Sequence, residues 1–281
     1  MPKVSVLISA YGPEALRRIA ALRHASNPSV KYLVGWQNHR DTEIPKELSS
    51  RSDFTILRLD SVGLCNNRNA LLAESTHGIA VIADDDLEYL PAHLENLLKG
   101  FAANPDSHFL TFRYESAVAP KSYPQHEFDL KSPPKGFFVT SMELAFNLDR
   151  IREDFGNLDL LRFNPSFGVN GLHFGSGEED ILVSTLLSKG FKGKFIPADI
   201  CINTDTTTSE RVGATKEFIA TKGAVVSLIR PGSWPLRMLT HAWRACRDNG
   251  SGRIPFIRYC RWWLSGVRKA RKVKIYRNSL P

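Results

Sequence analysis

Cysteine, long apolar runs and, in the last fifty residues, acid are what this chain has little of. Four cysteines occur in 281 residues, Cys65, Cys201, Cys246 and Cys260. They show no CxxC spacing and no histidine partner at zinc-finger distance, which argues against a zinc cage or a disulfide framework and fits a reducing cytosol. No apolar stretch approaches the roughly 18 residues of a spanning helix, and Met1-Pro2-Lys3 leads into a strand-like segment without the regions of a signal peptide. The expectation is a chain neither secreted nor membrane-spanning. From Arg230 to Pro281 thirteen Lys or Arg face one acid, Asp248. This tail therefore carries +12, and with +8 for the whole chain residues 1–229 carry −4. The basic character belongs to the tail. No internal repeat or low-complexity tract is present.

The length allows one large α/β domain with a sizeable core. Strand-like segments recur at Val4 to Ser9, Tyr32 to Trp36, Phe54 to Leu59, Ile79 to Ala83 and Phe109 to Tyr114. Amphipathic helices fit between them. Pro13 to Arg23 places Leu16, Ile19 and Leu22 on one side, and Pro91 to Phe101 places Leu94, Leu97, Leu98 and Phe101 on one face, with a proline suited to the first turn. The alternation predicts a mostly parallel central sheet with flanking helices. Residues 115–136, with Pro120, Pro124, Pro133 and Pro134, read as a long irregular loop of the kind that is more often functional than decorative.

Three carboxylates, Asp84-Asp85-Asp86, close the apolar run Ile79 to Ala83. They contribute nothing to a core, and like charges 4 Å apart repel by roughly 1 to 4 kcal/mol at surface-like dielectric. If strand geometry persists through Asp86, Asp84 and Asp86 point to one face. Such a DxD pair suits a hard divalent cation that carries a diphosphate.

Ligands of open α/β sheets bind beyond the carboxyl ends of the strands. Those ends supply Ser9, Tyr11, Trp36 and Gln37. Tyr11 or Trp36 is suited to stacking on a base, Gln37 to its edge and Ser9 to a ribose; taken singly, each reads first as an ordinary loop residue. Arg68, within Gly63-Leu-Cys-Asn-Asn-Arg-Asn69, offers a guanidinium fork to a diphosphate or is a solvated helix-start arginine. Gly175-Ser-Gly-Glu-Glu-Asp180 opens a helix-like stretch, Ile181 to Leu187, where acids in the first turn are also favoured by the helix dipole.

Taken in order, these stretches resemble the family 2 glycosyltransferases of the GT-A fold, over roughly residues 3–210. Lys3-Val-Ser-Val-Leu-Ile-Ser-Ala-Tyr-Gly12 looks like the opening strand, Gly63-Leu-Cys-Asn-Asn-Arg-Asn-Ala-Leu-Leu-Ala-Glu74 like the following helix motif, and Ile79 to Asp86 like the DxD strand. Phe163-Asn-Pro-Ser-Phe-Gly-Val-Asn-Gly171, Gly177-Glu-Glu-Asp180 and Gly190-Phe-Lys-Gly-Lys-Phe-Ile-Pro197 are similar to the acceptor-side pattern. Four motifs in the right order are more specific than any one of them.

The resemblance implies that Ser9, Tyr11, Gln37 and Arg68 face the nucleotide, that Asp84 and Asp85 lie at the ribose and diphosphate, and that Asp86, with Asp84, holds Mn2+ or Mg2+. Asp180 would be the catalytic base. The implied division is a catalytic domain over 1–229, with a nucleotide-sugar half (1–114) and an acceptor half (115–229), followed by a basic helical tail over 230–281. The implied partners are a nucleoside-diphosphate sugar, a UDP-sugar first, and a glycan or lipid-linked acceptor of the kind used in bacterial capsule and other surface polysaccharides. Two positions depart from the pattern. Gln37 stands where many relatives carry aspartate, and no histidine follows Pro197, which leaves Asp205 as a substitute metal ligand.

In the tail, Leu236, Leu239, Trp243 and Cys246 form one helical stripe beside Arg237, His241 and Arg244. Phe256, Cys260, Trp263 and Val267 form a second beside Arg258, Arg261, Arg268 and Lys272. Such helices suit an anionic bilayer, placing the enzyme at the inner face of the cytoplasmic membrane; the alternative is packing on the catalytic domain with a solvated basic edge. Rival classes fit less of the chain. A sugar-phosphate nucleotidyltransferase calls for a glycine-rich basic loop where Tyr11-Gly12-Pro13-Glu14 stands. A nucleic-acid-binding protein explains the tail but not the aspartates, so no nucleic-acid partner is expected.

Overall fold

The computed structural model describes residues 3–40, 42–118, 120–205, 215–247 and 254–273; of the basic tail, residues 248–253 and 274–281 lie outside the described residues. Near-continuous apolar runs build β1 (Val4–Tyr11), β2 (Val30–Gln37) and β4 (Ile79–Asp84), as strands buried on both faces require, while β3 (Phe54–Leu59) is a half-buried edge strand. They pair in parallel in the order β3-β2-β1-β4. The segments between them carry α1 (Ala15–Ala21), α2 (Lys46–Ser49) and α3 (Leu64–Glu74).

Past β4 the sheet is mixed. After β5 (Leu87–Glu88) and α4 (Pro91–Ala103) come β6 (Phe109–Glu115), β7 (Phe128–Asp129), β8 (Leu144–Asn147), α5 (Leu148–Phe155) and, later, β9 (Gly193–Asn203). Strand β8 runs antiparallel to both β4 and β6, whereas β9 is parallel to β6 and antiparallel to β5 and β7. The α/β expectation holds, with parallel pairing concentrated at the β3-β2-β1-β4 end. Pro91 starts α4, and Leu94, Leu97 and Phe101 are buried along it.

Contacts divide the chain into two compact units: Met1–Val62, Asn66–Arg162 and Leu186–Thr206 form the first, and Gly63–Cys65, Phe163–Thr185 and Thr207–Pro281 the second. In the first unit the expected loop is irregular apart from β7, yet it is anchored by a buried ion pair. Lys121 Nζ lies 2.6 Å from Glu143 Oε1, whose carboxylate is wholly buried. The Tyr123 hydroxyl donates to the same oxygen (2.7 Å) and the Thr140 amide to Oε2 (3.0 Å). Tyr123 also stacks on Phe195.

The second unit contains most of α6 (Glu178–Ser188), then α7 (Lys216–Ile229), α8 (Trp234–Arg247) and α9 (Phe256–Ala270). Helices α7 and α9 meet backbone to backbone at Gly223 and Gly266: a Cβ on Gly266 would run into the Ala220 carbonyl, and one on Gly223 into that of Trp263. Around this contact Ile219, Ala242, Ile254, Tyr259, Trp263 and Val267 form one buried cluster. The boundary expected at residue 230 therefore falls inside a helical unit. The stripe of Phe256, Cys260, Trp263 and Val267, read from the sequence as a bilayer face, is a packing face instead, with Trp263 fully buried and only Phe256 exposed among the four.

Breaking one side of a buried ion pair leaves an uncompensated charge, at a cost of about 3–5 kcal/mol. Lys121→Met and Glu143→Gln are each expected to destabilise the protein by that order in denaturant unfolding. The double substitution should recover a large part of either loss.

Candidate functional site

Strand β4 ends at Asp84, and Asp85 and Asp86 form the turn into β5. Strand alternation through Asp86, the condition for a shared face with Asp84, is therefore not met. The first two aspartates have cationic partners. Arg68 Nη2 donates to Asp84 Oδ1 at 3.0 Å, with the arginine side chain only 1% exposed. Ser141 Oγ donates to Asp84 Oδ2 at 3.5 Å, and Arg18 Nη2, from α1, donates to Asp85 Oδ2 at 2.5 Å. Burial outweighs Arg18 and holds the Asp85 carboxyl above the usual carboxylate range.

Asp86 has no such partner. Its Oδ1 is buried without a hydrogen bond. Burial first, then the charges of Asp84 and Asp85, and more weakly that of Asp205, push its pKa up to about 7. The Asp86 carbonyl is fixed by the Thr204 amide (3.2 Å) and hydroxyl (2.7 Å), which ties the turn to the segment that carries Asp205. A hard cation is the chemical complement of a carboxylate oxygen that like charges crowd and no proton donor satisfies. Among the described residues no group of three or more His, Cys, Asp or Glu is arranged to hold a metal by itself. A cation here would draw most of its ligands from a bound molecule, with Asp86 as the protein carboxylate that fits, while Asp84 is already committed to Arg68.

Arg68 is no solvated helix-start residue, because α3 begins at Leu64 and turns this arginine inward. Its neighbour shows how. Asn67 is buried, and its Nδ2 donates to the Gly35 carbonyl at 2.6 Å. Any Cβ on Gly35 would overlap the Asn67 side-chain oxygen. A strand glycine marks a close approach of this kind, and α3 comes close enough to β2 for Arg68 to reach the end of β4. Asn67, Arg18 and Ser141 were not singled out from the sequence; Gly35 within an otherwise apolar strand was the available signal for Asn67.

In register, Ser9 lies between Gly35 and Asp84 across three parallel strands, and its hydroxyl is buried without a partner. Tyr11, at the end of β1, is 50% exposed. Gln37 is buried, with Nε2 donating to Ser61 Oγ at 3.0 Å. Trp36 cannot stack on a base: it is fully buried, its indole donates to the Gly12 carbonyl (2.7 Å), and Arg58 covers its ring. The strand ends thus assemble Ser9, Tyr11, Gln37, Arg68 and Asp84 to Asp86 in the first unit.

Asp180 belongs to the second unit, exposed in the acidic first turn of α6 beside buried Glu178. Ile181, the next residue, packs with Phe167, Phe174, Ala224 and Val225, so the turn rests on α7. Burial holds Lys222, on α7, below the ordinary lysine range, and the Asp180 charge opposes that shift. The segment 163–174 is fastened within the same unit: the Leu64 amide donates to the Val169 carbonyl, Cys65 Sγ to that of Phe167, and Lys269 Nζ to that of His173.

Acids thus gather at the carboxyl end of the parallel strands, braced by a buried arginine. The sequence matches the profile of Glycosyl transferase family 2 over residues 18–158, half of its length, and the chain belongs to that family. Its fold is GT-A. Residues 1–349 of TarS from S. aureus superpose with a TM-score of 0.54 at 12% identity, covering 95% of this chain and 71% of that one. The same fragment in complex with UDP-GlcNAc gives 0.55 at 12% identity (95% and 72%), and in complex with UDP 0.52 at 12% (89% and 67%). No curated protein matches the sequence.

Replacing a crowded, unsatisfied carboxylate by an amide relieves repulsion, so Asp86→Asn is expected to raise the melting temperature of the ligand-free protein, by about 2–4 °C for each kcal/mol regained. The same substitution should abolish any Mn2+-dependent rise in melting temperature. Differential scanning fluorimetry with and without Mn2+ checks both outcomes.

Proposed function

We propose that the protein is an inverting glycosyltransferase that moves a sugar from a nucleoside-diphosphate donor, a UDP-sugar, to a hydroxyl of a glycan or lipid-linked acceptor in bacterial surface polysaccharide synthesis. It would work at the inner face of the cytoplasmic membrane, where lipid-linked acceptors reside. The observation that carries this reading is the carboxylate run at the end of β4, with Arg68 buried against Asp84 and Asp86 left unsatisfied. Support for the donor comes from family membership and from the UDP and UDP-GlcNAc complexes of TarS, a protein of the same fold.

Ser9, Tyr11 and Gln37 line the nucleoside side of this reading, with Tyr11 as the aromatic surface that solvent reaches. Arg68, held in place by Asp84, supplies a guanidinium close to where the diphosphate departs. Asp85, held by Arg18, and Asp84, held by Arg68, fix the turn that aims Asp86. Mn2+ or Mg2+ held by Asp86 and the diphosphate would neutralise charge on the leaving group. Asp180 takes the proton of the acceptor hydroxyl as its oxygen attacks the anomeric carbon opposite the departing diphosphate. A single displacement inverts that centre.

Asp180→Asn is expected to lower turnover by about 10²–10⁴-fold, the usual worth of a general base, with donor binding unchanged. A thermal-shift screen of UDP-, dTDP- and GDP-sugars, each with and without Mn2+, should give its largest shift with a UDP-sugar and the metal together. Full turnover by the Asn variant removes Asp180 from the mechanism. Donor binding indifferent to chelators removes the cation.

A further inference from the structure

Helix α8 has two apolar faces and the second unit uses one. Trp234, Met238, Ala242 and Ala245 turn inward to the cluster around Trp263. On the opposite side Leu236, Leu239 and Trp243 are 67%, 45% and 53% exposed, one contiguous apolar stripe left in water. Arg237, Arg244 and Arg247 are exposed on the adjoining stripe, and the Arg247 guanidinium lies over the Trp243 ring at 4.5 Å. The first turn of α9 repeats the pairing, with Phe256 and Ile257 exposed beside Arg258 and Arg261. No acid occurs on either helix. Among the described residues no helix is long and apolar enough to cross a membrane.

We propose that the outward face of α8, continued by the first turn of α9, lies on an anionic bilayer surface, with Leu236, Leu239 and Trp243 in the boundary between headgroups and acyl chains and Arg237, Arg244 and Arg247 on lipid phosphates. Charge complementarity selects this occupant. An apolar stripe alone suits any hydrophobic partner, but one flanked by arginines with no acid on its helix suits a surface that is apolar within and negative at the rim. The helix is already formed and its inner side rests on the cluster around Trp263. The proposal rests on the glycosyltransferase reading only for the place of the acceptor.

The test is flotation of the full chain on phosphatidylcholine vesicles with and without 30% phosphatidylglycerol, at low and high salt, alongside light scattering and a donor thermal shift. The wild type is expected to float only with the anionic vesicles, less so in high salt. Leu236→Asp, Leu239→Asp and Trp243→Asp combined, and separately Arg237→Glu, Arg244→Glu and Arg247→Glu combined, should each lower bound protein by about tenfold or more while leaving the donor shift intact. Wild-type protein that stays unbound, or variants that float equally, would overturn the proposal. So would a dimer that the apolar substitutions dissolve, or salt-sensitive binding to RNA or DNA that the arginine substitutions abolish, since either assigns the face to another occupant. Flotation with no donor shift would leave this face standing and remove the transferase reading instead.

Discussion

Three like charges at one strand end are the constraint around which the first unit is arranged. The parallel order β3-β2-β1-β4 brings β1 against β4, so that Ser9 pairs with Asp84 and α1, which follows β1, lies within reach of the turn. Arg18 on α1 takes Asp85, Arg68 on α3 takes Asp84, and both bonds cross from a helix to a strand end. The third carboxylate receives no such partner, and its pKa records the imbalance. The strand end therefore carries an unrelieved repulsion, with one carboxylate oxygen of Asp86 buried and unbonded.

The second unit solves a different problem, that of burying α8 and α9, two helices without a single acid. Its inner surfaces use glycine, alanine and aromatic rings: Gly223 and Gly266 bring two backbones together, and Trp263 fills the space beside them. No ion pair between α7, α8 and α9 is needed for that contact, which leaves the arginines outside. The net positive charge of the tail therefore adds repulsion to the folded state, although Lys269 also donates to the His173 carbonyl. The same helices carry the acceptor-side motif, since Phe174 and Ile181 pack with Val225, Ala270 and Val273. A charge boundary at residue 230 is real in composition, but it cuts through the framework that supports Asp180.

The parts legible in the sequence were those in which burial repeats along the chain. Strands β1, β2, β4 and β6, and helix α4, show themselves because each buries many apolar residues in phase. Strand β8 has four residues, α5 buries only Leu148 and Ile151 among its charges, and β9 contains Pro197, so none stands out from its surroundings. The aspartate run was legible because three adjacent acids after an apolar strand have no structural use. The burial of Arg68 was not, because it stands in the polar run Asn66-Asn67-Arg68-Asn69 and its seat depends on Gly35, 33 positions earlier. Trp36 misled for the opposite reason: a tryptophan at a strand end invites stacking, and only the Gly12 carbonyl beneath its indole shows where it goes.

Trp243 and Trp263 make the limit of periodicity plain. Each follows an arginine-flanked apolar stripe at helical spacing, and the two stripes read alike. One ring is wholly buried and the other half exposed. The difference lies in α7, where Gly223 lets α9 approach until the Trp263 backbone touches it, while the stripe of α8 that bears Trp243 faces away from that contact. A helix pattern fixes which residues share a face, and the small residue across from it decides whether that face is filled from within the chain. With Trp263 held in the core, Leu236, Leu239 and Trp243 are left exposed on the far side of α8.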